Sequence, residues 1–341
     1  MVMARALRLK PCRPDIRDND TAMGTDRSGT PPPFPPALAL SVTLAGVVAM
    51  MLGGLALARV PGLGLRAQIS LGSGLLALPP VAALVVLRRD SWRETLALGP
   101  VSSRTVALAV LLGGALWVLS IGLMEMQALV WPPSPEYLEI FRAIHRALKP
   151  SGPLDAVVSV TVIAIAPAIL EELVVRGLLL PSLTSPASRV WTVLVSALLL
   201  AAILQDPSRS GLTVAAGVVV GLAISRAGLA GAVVASALLF AAMHGDPFRF
   251  LFTFTIGLVL GAVRLRTGSL WPPILAHASL NGLTFLVAPL VDDPAQTTYT
   301  PEPLLGVACL LAGAALATPL LRGLTAAPAD RTRSEDPSPT C

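Results

Sequence analysis

Glu171 and Glu172 stand side by side inside an apolar run, and Arg176 follows four residues after the second. A carboxylate carried into hydrocarbon costs roughly 2.5–3.5 kcal/mol on the mildest insertion scale, so an acid pair at such a position is expected to do chemistry. The spacing divides the pair. Glu172 and Arg176 share one helix face and can form a charged, hydrogen-bonded pair, whereas the position four after Glu171 is Val175. Glu171 projects about 100° away around the axis and is left free to act as a general base. Two more pairs have the same four-residue spacing, Phe240 with His244 and His277 with Asn281, so each presents both side chains on one face. His277 and Asn281 can address a common point, and Phe240 can wall a site against lipid or water. Pro167, four residues before Glu171, has no N–H to donate and is expected to bend or open the helix near the acids. A plainer reading uses the same residues structurally, with Glu172 and Arg176 joining helices, Glu171 near the headgroups and His244 at a helix end.

The elements that carry these residues follow from composition. The chain has 341 residues, of which 54% are hydrophobic and only 13% charged, too little polar surface for a soluble globular protein. Apolar runs at 38–58, 68–87, 106–130 and 154–180 are long enough to cross about 30 Å of hydrocarbon as helices. Open sheets cannot satisfy their backbones in lipid, so the expected fold is all-α, a polytopic membrane helical bundle.

Region by region, 1–36 reads as a basic, Pro-rich, disordered cytoplasmic arm, 37–130 as N-terminal transmembrane helices, and 303–322 as the last transmembrane helix. A second disordered tail is expected over 323–341. The segment 131–153, with Glu136, Glu139, Arg142, His145, Arg146 and Lys149 among apolar residues, reads as an interfacial amphipathic helix, and His145 as a surface residue. Basic residues in the arm, in 88–104 and in the tail place both termini in the cytoplasm. The net charge of +5 is then a matter of topology, and nucleic acid is not an expected partner. Cys12, Cys309 and Cys341 have no spacing that suggests a disulfide or zinc framework.

A tandem repeat of about 40 residues spans 196–235 and 236–275, with 15 of the 40 aligned positions identical. Ser196–Leu199, Asp206–Pro207, Gly217, Gly221 and Arg226 recur as Ser236–Leu239, Asp246–Pro247, Gly257, Gly261 and Arg266. Each copy reads as a short helix, an Asp-Pro turn and a second helix with a small-residue face. Only the second copy has Phe240 and His244, where the first has Leu200 and Leu204.

Taken together, Glu-Glu-x-x-x-Arg, Phe-x-x-x-His and His-x-x-x-Asn, in that order on hydrophobic helices, resemble the CPBP family, the CAAX prenyl endopeptidase and bacteriocin-processing intramembrane proteases, also called Abi-like. Gly257, Gly261 and the run Thr267-Gly268-Ser269-Leu270-Trp271 add to the likeness. It covers 154–290, the expected catalytic membrane core. One departure is that His244 lies about one repeat unit further from the acids than the family pattern has it, an excess that duplication accounts for. The resemblance implies about eight core helices, to which the duplication adds an extra pair.

It also implies hydrolysis of a peptide bond in a membrane-embedded or lipid-modified substrate, whether of prenylated CAAX type or a leader peptide. Glu171 and His244 would polarise the attacking water, His277 and Asn281 would stabilise the oxyanion, and Glu172, Arg176 and Phe240 would support them. No cofactor is favoured. Zinc on Glu171, His244 and His277 is the alternative, although Asn is an uncommon zinc ligand and no His-Glu-x-x-His helix is present. The competing functions are a non-catalytic immunity or scaffold protein of the same fold and, more weakly, a proton-coupled transporter. The expected location is a bacterial cytoplasmic membrane.

Overall fold

A computed structural model describes residues 34–185, 188, 190–191, 210–246, 248–291 and 299–326. The expected arm up to position 33, the tail beyond 326, Cys12, Cys341 and positions 196–209 of the first repeat copy lie outside the described residues. Every regular element among the described residues is helical: α1 (Pro36–Leu57), α2 (Leu65–Leu87), a single turn α3 (Trp92–Thr95), α4 (Ser103–Val130), α5 (Pro135–Leu148), α6 (Pro153–Leu183), α7 (Ser210–Arg226), α8 (Leu229–Ala242), α9 (Phe250–Thr267), α10 (Trp271–Val291) and α11 (Pro303–Ala326). Six of these, α1, α2, α4, α6, α9 and α11, are long and apolar enough to span a membrane, so the protein is an all-α polytopic bundle, as its composition demands.

Local chemistry sets many of the helix ends. Ser102 and Ser134 accept the Thr105 and Tyr137 amides, both at 3.2 Å, and so cap α4 and α5. Pro36, Pro135 and Pro153 occupy first turns, where a missing N–H costs nothing. Gly268 closes α9 in the left-handed conformation at φ +66°, its amide returning to Arg264 O at 3.1 Å. At its far end α11 runs to Ala326, past the expected 322, because buried Leu324 joins Leu320 and Leu321 in a cluster with Leu112 of α4 and Val263 of α9.

Around Pro167 α6 widens and does not break. A π-helical turn, Thr161–Ile165, precedes the proline, and a second, Leu173–Leu179, follows Glu172, leaving an α-helical segment Ala166–Glu172 between them. Wide turns accommodate a residue that cannot donate an amide and change which face the following residues present.

Packed helices surround this element. α11 and α10 both lie along α4, α1 packs on α2, α8 packs on α9, and α10 and α2 contact α6. α7 and α9 occupy corresponding positions of the two sequence copies, Ser210–Arg226 against Phe250–Thr267. α8 has only 14 residues, about 21 Å of helix, less than the roughly 30 Å of hydrocarbon that a full crossing needs. The turn after α8 carries His244, which the packing of α8 on α6 and α9 brings to the acids.

The seat of α10 is set by Gly113 on α4. A side-chain carbon at Gly113 would overlap the carbonyl oxygen of Ala276 and stand 2.6 Å from Ser279 Cβ, and Ser279 Oγ donates to Val110 O at 3.0 Å beside it. Gly113→Val is therefore expected to destabilise the protein by about 1–3 kcal/mol through overpacking. Gly54→Ala, where nothing stands within 4 Å, is expected to be close to neutral, both read by thermal unfolding in detergent.

Candidate active site

The centre of the bundle is a sealed frame beneath a partly open rim. Glu172 and Arg176 are fully buried and joined at 2.7 Å, the pair that their spacing predicts. Arg176 also donates to Gly257 O of α9 at 3.2 Å, and its guanidinium lies 4.1 Å from the centre of the Phe240 ring on α8. α8 and α9 approach closely enough for this because position 257 has no side chain: a carbon there would stand 3.0 Å from Ala237 Cβ and 3.4 Å from the Phe240 ring.

Glu172 has a second duty that its local spacing does not reveal. Its Oε1 lies 3.0 Å from His277 Nδ1, across 105 residues of sequence. His244 Nδ1 lies 2.7 Å from Phe240 O, and a carbonyl can only accept, so Nδ1 carries the proton. A carboxylate is likewise an acceptor for His277 Nδ1. Both imidazoles are thus oriented by their Nδ1 atoms, and both direct Nε2 toward Glu171. Phe240 sets edge-on against the two rings, with centroids at 5.0 Å from His244 and 5.5 Å from His277.

Each Nε2 is 3.9 Å from Glu171 Oε2. That oxygen is buried and has no hydrogen-bond partner among the described residues. Side-chain exposure separates the two layers: 15% for Glu171 and 19% for His244, against none for Glu172 and Arg176. His277, at 5%, lies between the two layers.

A separation of 3.9 Å is too long for a direct hydrogen bond. Two hydrogen bonds of about 2.8 Å meeting at a right angle on one water oxygen would span it. Tetrahedral zinc, with bonds of about 2.0–2.1 Å, would bring its donors to about 3.3 Å of one another. The donor types, one carboxylate and two imidazoles anchored through Nδ1, suit zinc chemistry. Their spacing suits a shared water better, and no group of three or more His, Cys, Asp or Glu among the described residues forms a metal cage.

Asn281 is not joined to the other expected site residues by a hydrogen bond. It lies half-buried one turn beyond His277 on α10, with no hydrogen-bond partner among the described residues. His145, on the amphipathic helix α5, sets its ring edge-on to Phe141 at 4.0 Å.

The turn after His244 holds residues that spacing alone did not single out. Asp246 Oδ1 accepts the Phe248 and Arg249 amides at 3.0 and 3.2 Å, capping the start of α9, and Oδ2 accepts the Tyr137 hydroxyl at 2.8 Å. Gln127 Nε2 donates to Phe248 O at 2.7 Å. Burial and the neighbouring carboxylate push the Tyr137 hydroxyl well above its ordinary range, so it remains a donor. The Asp-Pro step at the start of a helix was the available signal for Asp246; Tyr137 and Gln127 had none.

A family model described as type II CAAX prenyl endopeptidase Rce1-like matches residues 153–235 and 224–283. The two pieces overlap at 224–235, within the duplicated region, and together take in Glu171, Glu172, Arg176, Phe240, His244, His277 and Asn281. No curated protein and no solved structure gives a significant match. The segment 153–283, which carries the whole buried cluster, is thus similar to the Rce1-like type II CAAX prenyl endopeptidases of the CPBP family of intramembrane proteases.

Proposed function

We propose that this protein hydrolyses a peptide bond in a membrane-embedded or lipid-modified substrate, with Glu171 as general base. The observation that carries the reading is the convergence of two imidazole Nε2 atoms on the unpaired Oε2 of Glu171. A water held between Glu171 and His244 loses a proton to the carboxylate as its oxygen attacks the scissile carbonyl carbon. The carbonyl π pair moves onto oxygen. His277, when its Nε2 is also protonated, donates to this oxyanion together with the Asn281 amide, and Glu172 beneath Nδ1 balances the imidazolium charge. Collapse of the tetrahedral intermediate breaks the C–N bond, and the departing amine takes the proton from Glu171. A carboxylate and an amine leave.

No metal is required by this scheme. Zinc, when bound, would be held by Glu171, His244 and His277 and would supply Lewis-acid activation of the water.

The proposed orientation puts both termini in the cytoplasm of a bacterial inner membrane. The α3 region meets the α9–α10 corner through Leu270 N to Ala97 O at 3.0 Å and Trp271 Nε1 to Leu98 O at 3.4 Å. That contact gathers Arg88, Arg89, Arg93, Arg264 and Arg266 toward one end of the bundle, the pattern of a cytoplasmic face.

Glu171→Gln and His277→Ala are each expected to lower cleavage of a prenylated reporter peptide in proteoliposomes by about 10²–10⁴-fold, and Asn281→Ala by about 10²–10³-fold, with insertion and Tm retained. Full cleavage by Glu171→Gln overturns the reading and leaves the scaffold role. Arg176→Ala is expected to act differently, destabilising the fold by about 3–5 kcal/mol because it strands the buried Glu172, while the double change Glu172→Gln with Arg176→Met recovers much of that loss in detergent unfolding. Activity is expected to survive exhaustive treatment with 1,10-phenanthroline; loss that added zinc restores would assign the metal to the three-residue set.

A further inference from the structure

His244 lies two residues beyond the end of α8, in a turn where its amide makes only a 3.3 Å bond to Ala241 O. The Nδ1 bond to Phe240 O orients the ring, while the backbone that carries it has already left the helix. The following residues are suspended from two other helices: α4 holds Phe248 O through Gln127, and α5 holds Asp246 through Tyr137, whose ring also lies 5.3 Å from that of Phe248. Asp246 uses one oxygen to cap α9 and the other for the tyrosine. A cap alone needs only the first. At its other end α5 is fastened as well, because Arg66 of α2 pairs with Asp155 and donates to Leu148 O at 3.1 Å.

We infer that Tyr137, acting through Asp246, is a positioning residue for His244, and that the seating of α5 decides whether His244 Nε2 faces Glu171. The inference rests on the catalytic reading of His244 given above. It gives the amphipathic helix a part in the chemistry: α5 exposes Ile140 and Ile144 on its outer side while Tyr137 reaches the turn within, so whatever shifts α5 at the membrane surface shifts the histidine.

Two readouts test this on the full-length protein in detergent or proteoliposomes. The first needs no activity. The chain has three histidines, so carbethoxylation of His244 can be followed at residue level by peptide mass spectrometry. Tyr137→Phe is expected to raise the His244 labelling rate about tenfold, the weight of one hydrogen bond to a charged acceptor. Asp246→Asn, which can still cap α9 and can donate its amide to the Tyr137 oxygen, is expected to stay within about twofold of the wild type on the same scale. The second readout is turnover. Tyr137→Phe is expected to lower kcat about tenfold at unchanged KM and Tm. Wild-type labelling and kcat in Tyr137→Phe overturn the inference, as does a loss of kcat that tracks a fall in Tm. A wild-type protein that cleaves nothing overturns the catalytic reading, and the labelling rates then decide by themselves whether Tyr137 holds His244.

Discussion

The buried guanidinium of Arg176 is the constraint on which the centre of this protein is built. Taking it out of water costs several kcal/mol, and the cost is offset only if nearly every face of the group finds a partner. It finds Glu172 on its own helix, the Gly257 carbonyl on α9 and the face of Phe240 on α8, while its Nε and the Oε2 of Glu172 have no hydrogen-bond partner among the described residues. Because Glu172 also meets His277 on α10, one cation ties four helices to a common point. A lysine has one compact charge where this geometry uses a planar fork and a flat face together.

That frame is sealed, and its closure lets the neighbouring groups remain unpaired. Glu171 keeps an oxygen without a hydrogen-bond partner in a site that would ordinarily exclude such an atom, and two imidazoles face it at a distance that neither closes. An unsatisfied carboxylate oxygen persists only where the surrounding packing holds it in place. The π-helical turns on either side of Ala166–Glu172 are part of that support. They absorb Pro167 without a break, and they sit in the helix that carries the base and its charged neighbour. The open rim and the closed frame thus divide the labour between adjacent glutamates.

Much of this was legible one element at a time. Burial of charge in an apolar chain marked the acids, the four-residue spacing paired Glu172 with Arg176, and the absence of a cation after Glu171 left that residue free. The same spacing placed Phe240 with His244 and His277 with Asn281. Helical character followed from lipid, which forbids unpaired backbone. What local spacing missed is long-range by nature: the second partner of Glu172, the carbonyl of Gly257, and Tyr137 reaching Asp246 across 109 residues. Asn281 shows the converse limit, since sharing a face with His277 did not by itself give it a partner.

The sequence by itself determined the solvent of this protein, its all-helical architecture, the division of the acid pair and the set of side chains that can do chemistry. Each of these depends on composition or on the 3.6-residue period, both of which are properties of a local stretch. Only the tertiary structure decided that His244, displaced along the chain by a duplicated unit, still comes to 3.9 Å from Glu171. The reason is packing: the turn that follows the short α8 is held by side chains from α4 and α5, contacts that distant segments make only after the chain has packed.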